Sequence, residues 1–518
     1  MIRTAAVREP ESLDGPRPVG LLAAGHRTAD PIPPFARGPV LALAVVLTVI
    51  LLVTSGVFRY SGDELYYLAA AKHLDWGYVD QPPLMPLLAH LSQAAFPGSA
   101  VVLRLPATLA VPLAVVMTAL TAREFGGGRR AQLLAGAVFA VSPVALSNSH
   151  HLSTTTFDLS VWATVTWLLV RWVRVRDDRL WLVLGVLTAV ALENKFLLLI
   201  FWGIAAVALL AVGPRELFRR PLVGAGAAIA VVSAVPGLVW QAQHGWPQID
   251  MGTAIADEVA QNGGQLAFLP QVLMTTGLVG GVLLCSGVWW LLRAPELRPY
   301  RFLGWSALAM AVLLCATDGR PYYLGGLYPL CWAVAAVQIE HGRTARWWRW
   351  VPSWPTLLIS LVIFLRALLP LDVEWLGGAD RFYLPLREFD WPGLSQAVGD
   401  TYRQLPVEQR RDAVVITDDY SRAGVLDWYG PAHGLPPVYS ASRGYWYFGT
   451  PPESARTVIY VGQVPEELRD ACGNLRTAVN FVDPIAKPVP TKVPPMPVSV
   501  CSDLRTPWSQ LWPLLKHL

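Results

Sequence analysis

A chain of 518 residues in which 53% are hydrophobic and only 15% charged, with a mean hydropathy of +0.40, is not a wholly soluble enzyme. That composition belongs to a polytopic α-helical membrane protein. The 41 Lys and Arg against 37 Asp and Glu leave a formal charge of +4, and the arginines lie scattered between apolar stretches. Nucleic acid is therefore not an expected partner, whereas membrane lipids are.

Residues 1–37 mix Pro, Gly, Arg and acids without apolar periodicity and read as a disordered cytoplasmic arm. Residues 38–58 are apolar enough to cross a hydrocarbon core, and with no small-residue cleavage site near them they are expected to stay as a signal anchor. Further spans are expected near 100–122, 130–147, 157–173, 180–193, 196–212, 221–240, 266–292, 302–317, 322–339 and 352–370, about eleven in all. Residues 38–371 thus form a transmembrane domain.

Arginine placement orients it. Arg123, Arg129 and Arg130, then Arg171, Arg174, Arg176 and Arg179, then Arg215, Arg219 and Arg220, then Arg293, Arg298 and Arg301, then Arg343, Arg346 and Arg349 fall in alternate loops. Those loops belong in the cytoplasm. The first loop (60–99), the loops at 148–156, 194–195, 241–265 and 318–321, and the tail then lie outside, in a multi-pass protein of the cell membrane. The tail, residues 372–518, has soluble composition, with helix-like stretches (GLSQAVGDTYRQL, SRAGVLDWY) and strand-like ones (DAVVIT, TVIYVG, AVNFV). It reads as a C-terminal external α/β domain. Its PIAKPVPTKVPPMP segment is expected to lack regular structure. Cys472 and Cys501 are the two cysteines of that domain, and an oxidising compartment would let them pair, for roughly 3 to 4 kcal/mol.

The chemistry concentrates in residues 60–86, YSGDELYYLAAAKHLDWGYVDQPPLMP. Ser61 and Glu64 fit a capping box that starts a short helix through His73. An acidic first turn suits the helix dipole, so Asp63 and Glu64 can be read as no more than a helix start. The alternative is a reactive carboxylate at a membrane surface. Asp63, Glu64, Tyr66, Tyr67, Leu74, Asp75, Gly77, Tyr78, Pro82, Pro83 and Leu84 together form a string that resembles the first external loop of bacterial membrane glycosyltransferases of the family 39 type, relatives of protein O-mannosyltransferases and aminoarabinose transferases. Further similar stretches, WQAQHGWPQ, GRPYYLGGLYP, AGVLDWYG and SASRGYWYFG, extend the resemblance over most of residues 40–518. One departure matters: aminoarabinose transferases carry Glu-Lys before the double proline, and this chain has Asp80 and Gln81.

The resemblance implies the GT-C superfold and transfer of a sugar, by an inverting route, from a polyprenyl-phosphate-linked donor to a glycan, lipid or protein acceptor outside the cytoplasm. Such transfer needs a base for the acceptor's proton and cations for the departing phosphate. Asp63 is the expected base and Asp158 a second catalytic carboxylate, either orienting the acceptor or helping to hold a divalent ion. Glu64, Tyr66, Tyr67, Asp80, Gln81, Arg104, Lys195, Arg320, Tyr322 and Tyr323 are the expected substrate contacts. Lys195 is one of only five lysines in the chain. Since Gln81 carries no charge, Lys195 and Arg320, with Arg104 behind them, are expected to meet the phosphate. Tyr445, Trp446 and Tyr447 suit either stacking on a sugar or lining a membrane interface. A polytopic transporter or lipid flippase, and a non-catalytic lipid-binding scaffold, are the alternatives. A sugar-transfer assay separates them.

Overall fold

The computed structural model describes residues 32–343, 389–483 and 495–518, with isolated positions between 350 and 362. The expected arm at 1–37 therefore lies outside the described residues except for its last few positions, and most of the span expected at 352–370 lies outside them too. In lipid a backbone satisfies its polar groups only within helices or closed barrels, so apolar runs of this length become helices. α1 (Arg37–Ser55) delivers the chain to a polar insert holding α2 (Gly62–Ala70) and α3 (Leu84–Ala95). There follow α4 (Ala100–Glu124), α5 (Arg129–Ala140), α6 (Pro143–Asn148), α7 (Thr154–Val175), α8 (Leu180–Leu192), α9 (Leu197–Val212), α10 (Pro221–Gln243), α11 (Pro247–Gln261), α12 (Gly264–Arg293), α13 (Arg301–Ala316) and α14 (Tyr328–Glu340).

Among the described residues five stretches are long and apolar enough to cross a membrane: α1, α4, α10, α12, and Pro295–Ala316, which is α13 with the turn before it. α8 and α9 are apolar but shorter. The span expected at 130–147 is broken between α5 and α6, where Ser142 caps a new helix and Pro143 takes its first position. Residues 322–339 begin as a 3-10 segment, Pro321–Leu327, before α14. Two helices went unread in loops, α3 and α11. α12 is bent at Gly277, whose φ of 70° only glycine adopts freely, and there it leans on the Pro143 ring. Leucines, valines and tryptophans from α4, α7, α9, α12 and α14 form the main core, with Trp162, Trp172 and Trp332 fully buried. Valines such as Val231 and Val232 stand exposed on α10, a surface suited to lipid.

The tail folds as a five-stranded sheet in the order β2-β1-β3-β5-β4. β1 (Ala413–Thr417), β2 (Val438–Ser440) and β3 (Thr457–Val461) run parallel, while β4 (Cys472–Phe481) and β5 (Met496–Leu504) pair antiparallel at one side. Helices Trp391–Arg403 and Tyr420–Tyr429 match the two helix-like stretches. Cys472 and Cys501 are joined as a disulfide with Cα atoms 5.7 Å apart, between neighbouring strands β4 and β5. The proline-rich segment was expected to be irregular throughout. Residues 484–494 of it lie outside the described part, but Met496 and Pro497 open β5, paired with Phe481 and Asn480. A proline is tolerated there because its carbonyl still accepts, from Gly462 N–H at 2.9 Å.

One buried ion pair ties the insert to the bundle. Arg104 of α4 donates from Nε and Nη2 to the two carboxylate oxygens of Glu64, each at 2.8 Å, and both side chains are fully buried. The same guanidinium donates to the carbonyls of Ser55, Phe58 and Arg59, so it also stops the end of α1. Glu64 in turn accepts from Ser61 N–H at 2.9 Å and Leu152 N–H at 3.0 Å. Burial alone would push its carboxyl up, but the hydrogen bonds and charges of Arg104 and His151 bring it down to about 2.

For Glu64 the reading as no more than a helix start is thereby corrected. A glutamine keeps the cap but abandons a buried guanidinium. Removing one partner of such a pair costs about 3 to 5 kcal/mol, so Arg104→Met and Glu64→Gln should each strongly lower the thermal stability of the purified protein in detergent. An unfolding midpoint within a degree of wild type for both would overturn this account of the insert.

Candidate functional site

The capping box on α2 divides its acidic pair. Ser61 Oγ accepts from Glu64 N–H at 3.2 Å while the Glu64 side chain folds back and inward, leaving Asp63 exposed on the opposite side of the first turn. There Asp63 Oδ1 accepts from the Tyr420 hydroxyl at 2.8 Å. One turn on, Tyr66 and Tyr67 are buried, and the Tyr66 hydroxyl donates to Asp80 Oδ1 at 2.9 Å.

The loop carrying Asp80 is pinned by the end of α10. Trp240 Nε1 donates to Asp75 at 2.8 Å, and Gln241 Nε2 donates to the Tyr78 carbonyl at 3.0 Å. The Tyr78 hydroxyl donates to the His73 carbonyl at 2.9 Å, which closes the loop on itself. Residues of the WQAQHGWPQ stretch thus set the position of Asp80 and Gln81 rather than offering side chains to a ligand. Burial pushes the Asp80 carboxyl up, to about 6, against the lowering pull of the Arg443 charge and the Tyr66 hydrogen bond, and with a smaller upward push from Asp63.

These side chains face a cavity of about 700 Å³. Asp63, Tyr66, Tyr67, Asp80 and Gln81 line it from the insert, Asn148, His151 and Thr155 from the junction of α6 and α7, and Asn194 and Lys195 from the turn between α8 and α9. Arg320, Tyr322 and Tyr323 close it from the loop before α14, and Met251, Ile255 and Met274 supply an apolar flank from α11 and α12. Lys195 Nζ lies 4.3 Å from the centre of the Tyr323 ring and 3.5 Å from Asp158 Oδ2. Arg320 donates to the Tyr322 hydroxyl at 2.9 Å and to Glu258 at 2.5 Å.

Three expected contacts are not on the cavity wall. Glu64 and Arg104 neutralise each other beneath it. Asp158 is buried behind it, accepting from Asn194 Nδ2 at 3.1 Å and pairing with Lys195, so it positions the lysine. Among the described residues no group of three or more His, Cys, Asp and Glu side chains is arranged to hold a metal ion. Tyr445 packs in the apolar cluster around Tyr66, and Trp446 and Tyr447 gather about Lys516 Nζ at 4.4 and 4.9 Å. None of the three lines the cavity.

Two wall residues that went unread, Tyr420 and Arg443, come from the tail. The helix Tyr420–Tyr429 lies directly on α2, and Gly424 makes this possible: a Cβ there would stand 2.8 Å from the Leu65 backbone. Tyr66 adds a T-shaped contact with Tyr420 at 4.9 Å between ring centres. Arg443 lies within SASRGYWYFG and Tyr420 stands just before AGVLDWYG, but sequence spacing gives no sign that either meets residue 63.

The raised Asp80 pKa has a stability consequence. Between about pH 4 and pH 6 the folded protein holds a proton on Asp80 that the unfolded chain releases, so stability from this group falls as pH climbs through that window. In Asp80→Asn the slope should vanish. The wild-type advantage over the variant in detergent unfolding should shrink from pH 4 to pH 6 and then stay level. A difference that grows over that interval would contradict the assignment.

Residues 80–240 match the family model described as dolichyl-phosphate-mannose-protein mannosyltransferase. No curated protein matches the sequence. Among solved structures, ArnT from Cupriavidus metallidurans in the apo state is similar at a TM-score of 0.58 and 15% identity, over 90% of this chain and 98% of that one. ArnT from the same organism bound to undecaprenyl phosphate is similar at a TM-score of 0.48 and 18% identity, over 77% of this chain and 70% of that one. The first of these likenesses carries the fold. With the family match over residues 80–240, it bears out the resemblance seen in the loop motif: the chain is similar to the membrane glycosyltransferases of the family 39 type and takes their GT-C fold.

Proposed function

We propose that this protein transfers a sugar from a polyprenyl-phosphate-linked donor to an acceptor on the external face of the cytoplasmic membrane, with Asp63 as base. The observation that carries the proposal is the division of the acidic pair: Glu64 is consumed by Arg104, while Asp63 stands exposed in a cavity that also holds Lys195 and Arg320. The family description over residues 80–240 supports a lipid-phosphate-linked donor. In a single displacement the acceptor hydroxyl gives its proton to Asp63 as its oxygen bonds to the anomeric carbon. The bond from that carbon to the phosphate oxygen breaks, and the electron pair leaves with the phosphate. Lys195 and Arg320 balance the charge that develops there. The Tyr420 hydroxyl holds the base in place. Inversion at the sugar follows from a single displacement. Asp158 pairs with the Lys195 ammonium and sets its position.

About eleven spans, with the amino terminus cytoplasmic and the tail outside, are the topology we propose, on the arginines of alternate loops. Its domains are an arm (1–37), a membrane domain (38–371) and an external α/β domain (372–518). A phosphatase reporter fused after residue 518 should be active and one at residue 215 inactive; the reverse pattern would overturn the topology.

The catalytic proposal is tested with purified protein and a polyprenyl-phosphate sugar. Asp63→Asn keeps shape and removes the basic oxygen, so transfer should fall by about 100-fold or more with membrane expression unchanged. Transfer near the wild-type rate by that variant would sink the role of Asp63, and no transfer by wild type from any such donor would sink the donor class.

A further inference from the structure

The cavity wall made by the junction of α6 and α7 differs from the others. Charged side chains such as Lys195 and Arg320 enter from other sides, whereas this stretch presents Ser147, Asn148, His151 and Thr155, and no Asp, Glu, Lys or Arg. α6 is only six residues long, and Ser153 caps α7 by accepting from Thr155 N–H at 3.2 Å. The short turn between them holds two histidines with different surroundings. His150 is buried against the Phe58 ring, and His151 lines the cavity.

The fold decides what His151 offers there. Its Nδ1 is buried and faces Glu64 Oε2 at 3.8 Å, and Glu64 is held in place by Arg104 and by the Leu152 N–H. A carboxylate beside one ring nitrogen assigns the proton to that nitrogen, which leaves Nε2 a lone pair. The ring edge away from Glu64 carries Nε2 toward the cavity, and among the described residues nothing donates to it. Asn194 supplies a second acceptor. Its Nδ2 donates to the Thr154 carbonyl at 2.9 Å and to Asp158 Oδ1 at 3.1 Å. Because both partners accept, the amide cannot be reversed, and its Oδ1 has no hydrogen-bond partner among the described residues. Asn194 is 2% exposed and stands on the same cavity. An unmet buried acceptor is costly unless a ligand meets it.

Two acceptors that lack hydrogen-bond donors restrict what this wall can hold. A polyprenyl chain has no N–H or O–H to give, and an ionised phosphodiester has only accepting oxygens. A hydroxyl suits both positions, and in a lipid-linked substrate the hydroxyls belong to the sugar. Asn194 is the neighbour of Lys195, to which the departing phosphate was given. The sugar is joined to that phosphate through one oxygen, so its hydroxyls lie within about a ring's width of it. We infer that His151 and Asn194 form a subsite that reads hydroxyls of the transferred sugar, and so help to decide which sugar is used. This rests on the donor class proposed above. A site built to hydrogen-bond a hydroxyl rejects an analogue lacking it far more strongly than an apolar pocket does. Glu64 then has a second task, because it fixes the tautomer through which the sugar is read.

The test is direct binding to the full-length protein in detergent, read by intrinsic tryptophan fluorescence. The probes are polyprenyl-phosphate mannose, the sugar that the family description names, and polyprenyl monophosphate, which shares its lipid and phosphate but lacks the sugar. Wild type should bind the mannose lipid more tightly. His151→Asn places an amide near the Nδ1 position and leaves the cavity side empty. It should weaken binding of the mannose lipid by about 5- to 10-fold and leave the monophosphate within about twofold. His151→Gln, whose amide reaches the Nε2 position, should recover part of the loss, a rescue that a purely packing role would not give.

Equal losses for the two lipids in His151→Asn, or an unchanged affinity for the mannose lipid, would overturn the inference while leaving the donor class standing. Equal binding of the two lipids by wild type would do the same, since the sugar would then make no net contact. Wild type that bound neither lipid would instead remove the donor class itself. Should His151→Asn fail to fold, His151→Phe provides the second arm. It keeps a ring in place and removes both nitrogens, and it too should weaken binding of the mannose lipid selectively.

Discussion

The buried pair of Glu64 and Arg104 is the constraint on which the site depends. A carboxylate and a guanidinium taken wholly out of water are tolerable only if every donor and acceptor is met, and here the guanidinium meets three backbone carbonyls as well as both carboxylate oxygens. That one knot fixes the end of α1, the first turn of α2, the start of α4 and the backbone at Leu152. A helix of nine residues has little stability of its own. It holds Asp63 steadily at the cavity because its other acidic residue is locked behind it.

This explains why an acidic pair appears where one carboxylate would suffice for chemistry. Adjacent positions on a helix are about 100° apart, so when Glu64 points into the bundle Asp63 cannot. The structural carboxylate therefore aims Asp63 at the cavity. The two environments also differ electrostatically: Glu64 is held ionised at a pKa of about 2 by its partners, whereas Asp80, facing Arg443 but desolvated, is pushed the other way, to about 6. The insert thus keeps carboxylates of different character within one loop, using burial and partner rather than residue type.

The local rules were legible in sequence. The capping box at Ser61 and Glu64, the helices at 391–403 and 420–429, and strands β1 and β3 follow from cap residues and short-range periodicity, and each stands where the pattern put it. What could not be read depends on partners distant in the chain. Arg104 looked like a free cation because its carboxylate lies forty positions earlier. Asp158 was read as a catalytic carboxylate with no sign of its neighbours, and in the fold it is buried against Asn194 and Lys195, which arrive from another turn. α3 and α11 were passed over since each is too short or too polar to read as a span and lies in a loop. β5 was hidden by prolines, whose lost donors do not matter where the carbonyl is what the neighbouring chain needs.

The tail is where sequence reasoning divided what the fold unites. Its composition is soluble, and a boundary near residue 371 is the natural reading of the hydropathy change. Yet Gly424 brings its helix against the α2 backbone, and Gly444 leaves room for the Tyr66 hydroxyl. Both contacts demand the absence of a side chain at a particular point, which packing between independently mobile domains would not require. Asp63 then has one hydrogen-bond partner from the tail, and the cavity has one wall made of it. On the donor class we propose, a polyprenyl chain would lie in the membrane and its acceptor in water, and a cavity walled by both the insert and the tail has residues from each to offer them.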